Sequence, residues 1–127
     1  MNLTAGIQQQ ITFLPTRDLE ANQHFYQQLL GLPLVRDQGA CRIYRTAPNA
    51  YLGFCSHLAP TPLPASVILT LVCDAVDECF AQLTALGAGI EKAPGLNERF
   101  GIYQCMLRDP DGYRVEIQRF LDPPDEK

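Results

Sequence analysis

Two stretches of this chain are built alike. ITFLPTRDLEANQHFYQQLLGLPL begins at Ile11, and ILTLVCDAVDECFAQLTALGAGI begins at Ile68. Each reads as a short apolar strand, an acidic helix start, an amphipathic helix and then Leu-Gly. Asp18 to Gly31 and Asp74 to Gly87 both span 13 positions, so one offset of 56 superimposes the helices. Asp18 and Asp74 suit the N-cap or first turn, where a carboxylate accepts from free backbone N–H groups. Gly31 and Gly87 suit the position after the helix, which needs φ > 0. The predicted inward stripes are Leu19, Phe25, Tyr26, Leu29 and Leu30 in the first helix, and Val76, Phe80, Leu83 and Leu86 in the second.

After each helix the apolar period changes to two, which is a strand signal. Strands are predicted over 32–37, 40–47 and 50–56, and again over 89–92, 100–108 and 113–120. The ends of the halves also match: APNAYLGF lies over DPDGYRVE, with Pro48 on Pro110 and Tyr51 on Tyr113. The fold class is therefore α+β, a single domain over 1–127 made of two β-α-β-β-β modules. The first module is 7–57, a proline-rich linker is 58–65, the second module is 66–120, and 121–127 is a tail. A half of this size cannot cover both faces of its own sheet, so the halves must pack on each other, within the chain or across a dimer.

Charge and hydropathy remove several partners. The net charge is −4 with only 10 Lys and Arg, so no basic nucleic-acid footprint is present and no nucleic-acid partner is expected. No apolar run approaches the roughly 18 residues of a membrane span, and MNLTAGIQQQ lacks the regions of a signal peptide. A cytoplasmic protein is expected. The 5 cysteines are odd in number and none forms a C-x-x-C pair, so buried, reduced thiols are expected.

The paired modules, the helix motif DLEANQHFYQQLLGL and the closing DPDGYRVEIQ resemble the vicinal oxygen chelate superfamily. That superfamily includes glyoxalases, extradiol dioxygenases and bleomycin-binding resistance proteins. The resemblance covers roughly residues 7 to 120. It implies cupped mixed sheets with the helices outside, a glyoxalase/bleomycin-resistance-like fold, and a homodimer. It also implies four metal-ligand positions: one on the first strand of each module, seven residues before the helix-start acid, and one on the last strand of each.

Those positions hold Ile11, Val67, Glu116 and, through the Pro48/Pro110 match, Phe54. Only Glu116 can ligate a metal, and a divalent site needs about three protein ligands. No metal and no other cofactor is therefore expected. The two histidines, His24 and His57, fall at none of these positions and are expected to be structural or surface groups.

By that resemblance Glu116 points into the cup as a partly desolvated carboxylate; the alternative is an exposed strand residue or one paired with Arg42, Arg45 or Arg114. Unpaired, it can anchor a cationic or hydrogen-bonding ligand, or act as a general base. Gln118, two residues on, shares its face. CRIYR and FGIYQCML alternate, and the alternation leaves open which sets face inward; Arg42, Tyr44 and Tyr103 are the candidates. APGLNERFG is long enough to serve as a flap or as an ordinary connection.

The expected function is binding of a small, partly apolar molecule without a metal. One alternative is a metal-dependent lyase, isomerase or dioxygenase of the same superfamily. Another is a metal-independent enzyme with Glu116 as catalytic base.

Overall fold

The computed structural model describes residues 5–58 and 64–122. Most of the predicted linker, and residues 123–127 of the predicted tail, lie outside the described residues. The chain divides into two compact units, Met1–Pro62 and Leu63–Lys127.

The first unit runs β1 (Gln10–Pro15), α1 (Leu19–Leu29), β2 (Leu34–Asp37), β3 (Cys41–Ala47) and β4 (Ala50–Cys55). The second runs β5 (Ile68–Val72), α2 (Val76–Ala85), β6 (Ile90–Asn97), β7 (Ile102–Arg108) and β8 (Arg114–Phe120). Each module forms a 4-stranded sheet, ordered β1-β4-β3-β2 and β5-β8-β7-β6. The first strand lies parallel to the last, and the other pairs are antiparallel. These are the predicted β-α-β-β-β modules. β6 is longer than predicted and absorbs the start of the supposed flap, so only the turn before β7 remains loop. Pro94 hides this strand from sequence reading. β6 is an edge strand whose register shifts between Lys92 and Gly95, and edges and bulges are where a sheet accepts proline.

The two helices do not follow one offset. In α1 the residues Leu19–Gln23 are α-helical and His24–Leu29 form a π-helix, with the Leu30 N–H donating to the Phe25 carbonyl at 3.0 Å. A π segment stores one residue beyond the α-helical count. Leu19 therefore matches Val76, an offset of 57, while Gly31 matches Gly87, an offset of 56.

The capping prediction holds for Asp18, whose side chain accepts from the N–H groups of Glu20 at 3.0 Å and Ala21 at 3.2 Å. It fails for Asp74, which stands one residue too early: the N-cap is Ala75, which makes no side-chain cap. Gly31 and Gly87 close both helices, at φ 75° and 83°.

Aromatic side chains fill the helix side of the first module. Tyr26 of α1 stacks on Phe54 at 4.4 Å between ring centroids and lies 6.1 Å from Tyr44. All three are buried, and burial pushes the Tyr44 phenol up to about 12. Arg42 ties β3 to α1 by donating to the Leu19 carbonyl, Gln23 Oε1 and Glu20 Oε1.

The second module is packed with smaller groups. Val76, Leu83, Cys105, Leu107, Val115 and Ile117 are buried, whereas Leu86, predicted to face inward, is exposed. Burying each large aliphatic side chain contributes about 1.5–3 kcal/mol.

One expectation about the cysteines is overturned. β3 and β4 place Cys41 directly opposite Cys55, with Cα atoms 4.1 Å apart, and the two form a disulfide. Cys73, Cys79 and Cys105 are free thiols. Burial, then a hydrogen bond with Cys73, pushes the Cys79 thiol up to about 11, and burial raises Cys105.

Candidate functional site

Registered partners on neighbouring strands project to the same side of a sheet. Each sheet has one face against its helix and one face without it, here called the open face. On the first module, Phe54 contacts Tyr26 of α1, so Leu14, Arg42 and Tyr44 share the helix face. Ile11, Phe13, Ile43, Arg45, Tyr51 and Gly53 then share the open face.

On the second module, the Tyr103 hydroxyl donates to Asp77 of α2 at 2.6 Å, which assigns Cys105, Leu107, Val115 and Ile117 to the helix face. Glu116, Gln118, Gln104, Met106 and Thr70 are left on the open face.

Four of the sequence candidates are therefore on the wrong side. Arg42, Tyr44 and Phe54 back onto α1. Tyr103 reaches α2, and its phenol is raised chiefly by the hydrogen bond to Asp77. Val67 precedes β5; Ile68 and Thr70 are the residues that share the face of Glu116. Ile11 is on the open face of its own module, and Glu116 and Gln118 are together on that of theirs.

The slips at Val67 and Phe54 each come from a difference in length between the halves. The extra residue in α1 breaks the 56 offset ahead of the helix. The two closing turns also differ in length: Ala47 pairs with Ala50, whereas Arg108 pairs with Arg114. The open-face counterpart of Glu116, judged by its pairing with the first strand, is Gly53 rather than Phe54.

The DPDG segment positions Glu116. Asp109 Oδ1 accepts from the N–H groups of Asp111 and Tyr113, both at 2.9 Å, and Gly112 takes φ 92°. Only a residue without Cβ adopts that conformation at little cost. Arg108 also donates to the Gly112 carbonyl at 2.8 Å. The turn is thus tied down from inside, and β8 leaves it with Tyr113 buried and Glu116 on the opposite side of the strand from Val115.

Glu116 is 8% exposed. Its Oε1 accepts from Thr70 Oγ1 at 2.8 Å, its Oε2 accepts from Gln104 Nε2, and Gln104 Oε1 accepts from Asn97 Nδ2 at 2.9 Å. Gln118 lies beside Gln104 and is also buried. Glu116 is buried on the open face rather than an exposed strand residue, and its partners are not the arginines weighed from the sequence. It is not unpaired, and among the described residues no arginine or lysine forms an ion pair with it: Arg42 pairs with Glu20, and Arg108 and Arg114 with Glu91.

The partners are instead neutral donors, a polar row from Asn97 to Thr70 between Ile68, Ile102 and Met106. Sequence reasoning missed Thr70, Gln104 and Asn97. A signal was present for Gln104, a polar residue between Ile102 and Leu107 in a largely apolar strand.

The first module's open face is different. Ile11, Val35, Ile43, Tyr51, Arg36 and Arg45 line a hollow of about 330 Å³. Its lining is mostly polar and includes two guanidinium ions and Gln9 beside the aliphatic Ile11, Val35 and Ile43.

The metal positions implied by the resemblance can now be read in register: Ile11, Gly53, Ile68 and Glu116. One carboxylate, engaged by Thr70 and Gln104, does not make a divalent site, since Ile and Gly have no donor side chain. The residues present do not fit that metal. Among the described residues the one cluster with metal-ligand potential is elsewhere, at Cys41, Cys55 and His57.

Residues 8–117 match the family model of the Glyoxalase/Bleomycin resistance protein/Dioxygenase superfamily. Solved structures agree in fold. A glyoxalase/bleomycin resistance protein/dioxygenase from Nocardioides is 20% identical with a TM-score of 0.74, over 92% of this chain and 85% of that one. TioX from Micromonospora sp. ML1 is 20% identical with a TM-score of 0.73, over 89% and 98%. Lactoylglutathione lyase from Agrobacterium tumefaciens is 24% identical with a TM-score of 0.69, over 86% and 90%. Among curated proteins none matches the chain. No helix among the described residues is long and apolar enough to cross a membrane.

Proposed function

The chain belongs to the Glyoxalase/Bleomycin resistance protein/Dioxygenase superfamily, and from that premise we propose that it binds a small, partly apolar molecule on the open face of its second sheet, without a metal. The observation that carries this is the row Asn97–Gln104–Glu116–Thr70, buried in part among aliphatic side chains on the face turned away from α2. Ligand sites combine an apolar lining with a few fixed polar groups, and this face supplies both.

Glu116 uses one acceptor position on each oxygen, and a carboxylate has about four. It therefore retains capacity to accept from a cationic or N–H-bearing ligand, with Gln118 offering a second polar contact. Both oxygens are already engaged, which favours an anchor over a general base.

The same reading includes a homodimer and a cytoplasmic location. Ile11 and Phe13 on β1, and Ile68 and Val72 on β5, are 39%, 44%, 54% and 61% exposed in the single chain. Both are edge strands, and an exposed apolar edge strand calls for a partner. A sedimentation profile containing only the 14.1 kDa species at micromolar concentration rejects the dimer.

Ligand-induced shifts in melting temperature across a compound panel test the binding reading. At least one partly apolar compound should stabilise the wild type, and Glu116→Gln should abolish the shift. Shifts that survive in Glu116→Gln place the site elsewhere. With the disulfide intact, stripped protein given Mn²⁺, Ni²⁺ or Fe²⁺ should retain no ion; stoichiometric retention lost on Glu116→Ala overturns the metal-free reading.

A further inference from the structure

We infer that the reduced form of Cys41 and Cys55, together with His57, binds a thiophilic divalent cation of the Zn²⁺ kind. The site is separate from Glu116 and lies at the end of the β3–β4 pair. The three candidate donor atoms lie within 4.8 Å of one another. His57 Nδ1 is 3.8 Å from Cys41 Sγ. In a tetrahedral site with metal–sulfur and metal–nitrogen bonds of about 2.3 and 2.0 Å, sulfur and nitrogen stand roughly 3.5 Å apart. The Cys41–His57 spacing is close to that already; the two sulfurs, bonded to each other in the disulfide, must part to roughly 3.8 Å after reduction, which rotation of the two side chains supplies.

The backbone holds the donors together. Cys41 and Cys55 are registered partners on adjacent strands, so both sulfurs project to one side. Just beyond β4, the Ser56 N–H donates to the Ala40 carbonyl at 2.9 Å, and the Ser56 hydroxyl donates to the same oxygen at 3.4 Å. That clamp carries the next residue, His57, back beside Cys41. Cys55 is 1% exposed and Cys41 9%, whereas His57 is exposed, so a cation would enter from the histidine side.

Oxidation state gates the site. In the disulfide neither sulfur carries charge. A small-molecule thiol reductant opens the bond by exchange: two reductant thiols become their disulfide, and Cys41 and Cys55 gain two electrons and two protons. Cation binding releases those protons to solvent and leaves two thiolates and a neutral imidazole as donors. The two thiolates neutralise the divalent charge, and an outside water or anion completes the tetrahedron.

Full-length protein, reduced under inert gas, is titrated with Co²⁺ as a spectroscopic probe and then with Zn²⁺ as competitor. A single equivalent of Co²⁺ should bind with thiolate-to-cobalt charge-transfer absorption, and Zn²⁺ should displace it. Oxidised protein should show no such band. Cys41→Ser and Cys55→Ser should lose it, and Cys73→Ser and Glu116→Gln should keep it. His57→Ala alters an exposed turn residue and leaves the strands intact; it should weaken binding about tenfold or more. The inference is overturned by reduced protein that shows no band, by His57→Ala binding as tightly as wild type, or by a band that follows Cys73. Loss of the far-ultraviolet circular dichroism spectrum on reduction also overturns it, because the three donors then no longer share a surface.

Discussion

The two modules share a strand order and a helix, yet they put their chemistry on opposite sides of the sheet. In the first, the specific interactions lie between sheet and helix: the Tyr26, Tyr44 and Phe54 rings and the Arg42 links to α1. Its open face offers a hollow, two arginines and a disulfide. In the second, the helix side is mainly aliphatic and thiol-bearing, with Tyr103 joined to Asp77 of α2 by one exposed hydrogen bond, and the buried hydrogen-bonded row is on the open face. The strand order sets which residues share a face, but not which face carries the polar groups. A motif transferred from one half to the other therefore keeps its topology and loses its chemistry.

The largest expected effect probes the first module's helix face. Phe54→Ala should cost about 3–5 kcal/mol in urea unfolding, since it removes a buried ring stacked on Tyr26. A loss under about 1 kcal/mol would return Phe54 to the open face, where the sequence register had put it.

Next comes the second module's open face. Glu116→Gln should cost about 1.5–3 kcal/mol at neutral pH, because a carboxylate that accepts from Thr70 and Gln104 becomes an amide that meets one of those donors with its own N–H. A double-mutant cycle with Gln104→Met should show positive coupling. Unchanged or increased stability in Glu116→Gln would mean the carboxylate is unpaired after all.

Alkaline melting separates the modules by pH. Cys79 has its folded pKa raised from 9.0 to about 11, and Tyr44 from 10.0 to about 12. A raised folded pKa means that the unfolded state releases its proton first. The stability is then fully present below the unfolded pKa and is lost as pH rises through the window up to the folded value. The melting temperature should fall from about pH 9; Cys79→Ser should blunt the earlier part and Tyr44→Phe the later. Tyr44→Phe should cost nothing at pH 7, because among the described residues the buried hydroxyl has no hydrogen-bond partner. A melting curve flat to pH 11 in the wild type contradicts the raised pKa of both the half-buried Cys79 and the buried Tyr44.

The smallest effect is expected at Gly53, the register counterpart of Glu116. A Cβ there would overlap the Phe13 ring, but that ring is 44% exposed and free to swing aside. Gly53→Ala should therefore shift stability by less than about 1 kcal/mol. A larger loss would mean that the Phe13 ring is held in place on the open face.

Much of the fold was legible along the chain because it rests on local signals. Alternation marks a strand, Asp18 caps a helix, Gly31 and Gly87 end helices, and DPDG turns the chain; each is a short-range preference of the backbone. Those signals also led to the family and to Glu116 and Gln118.

What only the tertiary structure decided was parity. A strand's faces alternate residue by residue, so one extra residue in the π segment of α1, or in a closing turn, moves every side chain to the other face. Val67 and Phe54 were misplaced for that reason, whereas the inward face of the strands holding Arg42, Tyr44 and Tyr103 was open in the sequence and is set by their contacts with the helices. The disulfide and the donors to Glu116 needed the structure for a related one. Cys41 and Cys55, or Thr70, Gln104 and Glu116, are far apart in sequence, and only strand pairing brings them into contact.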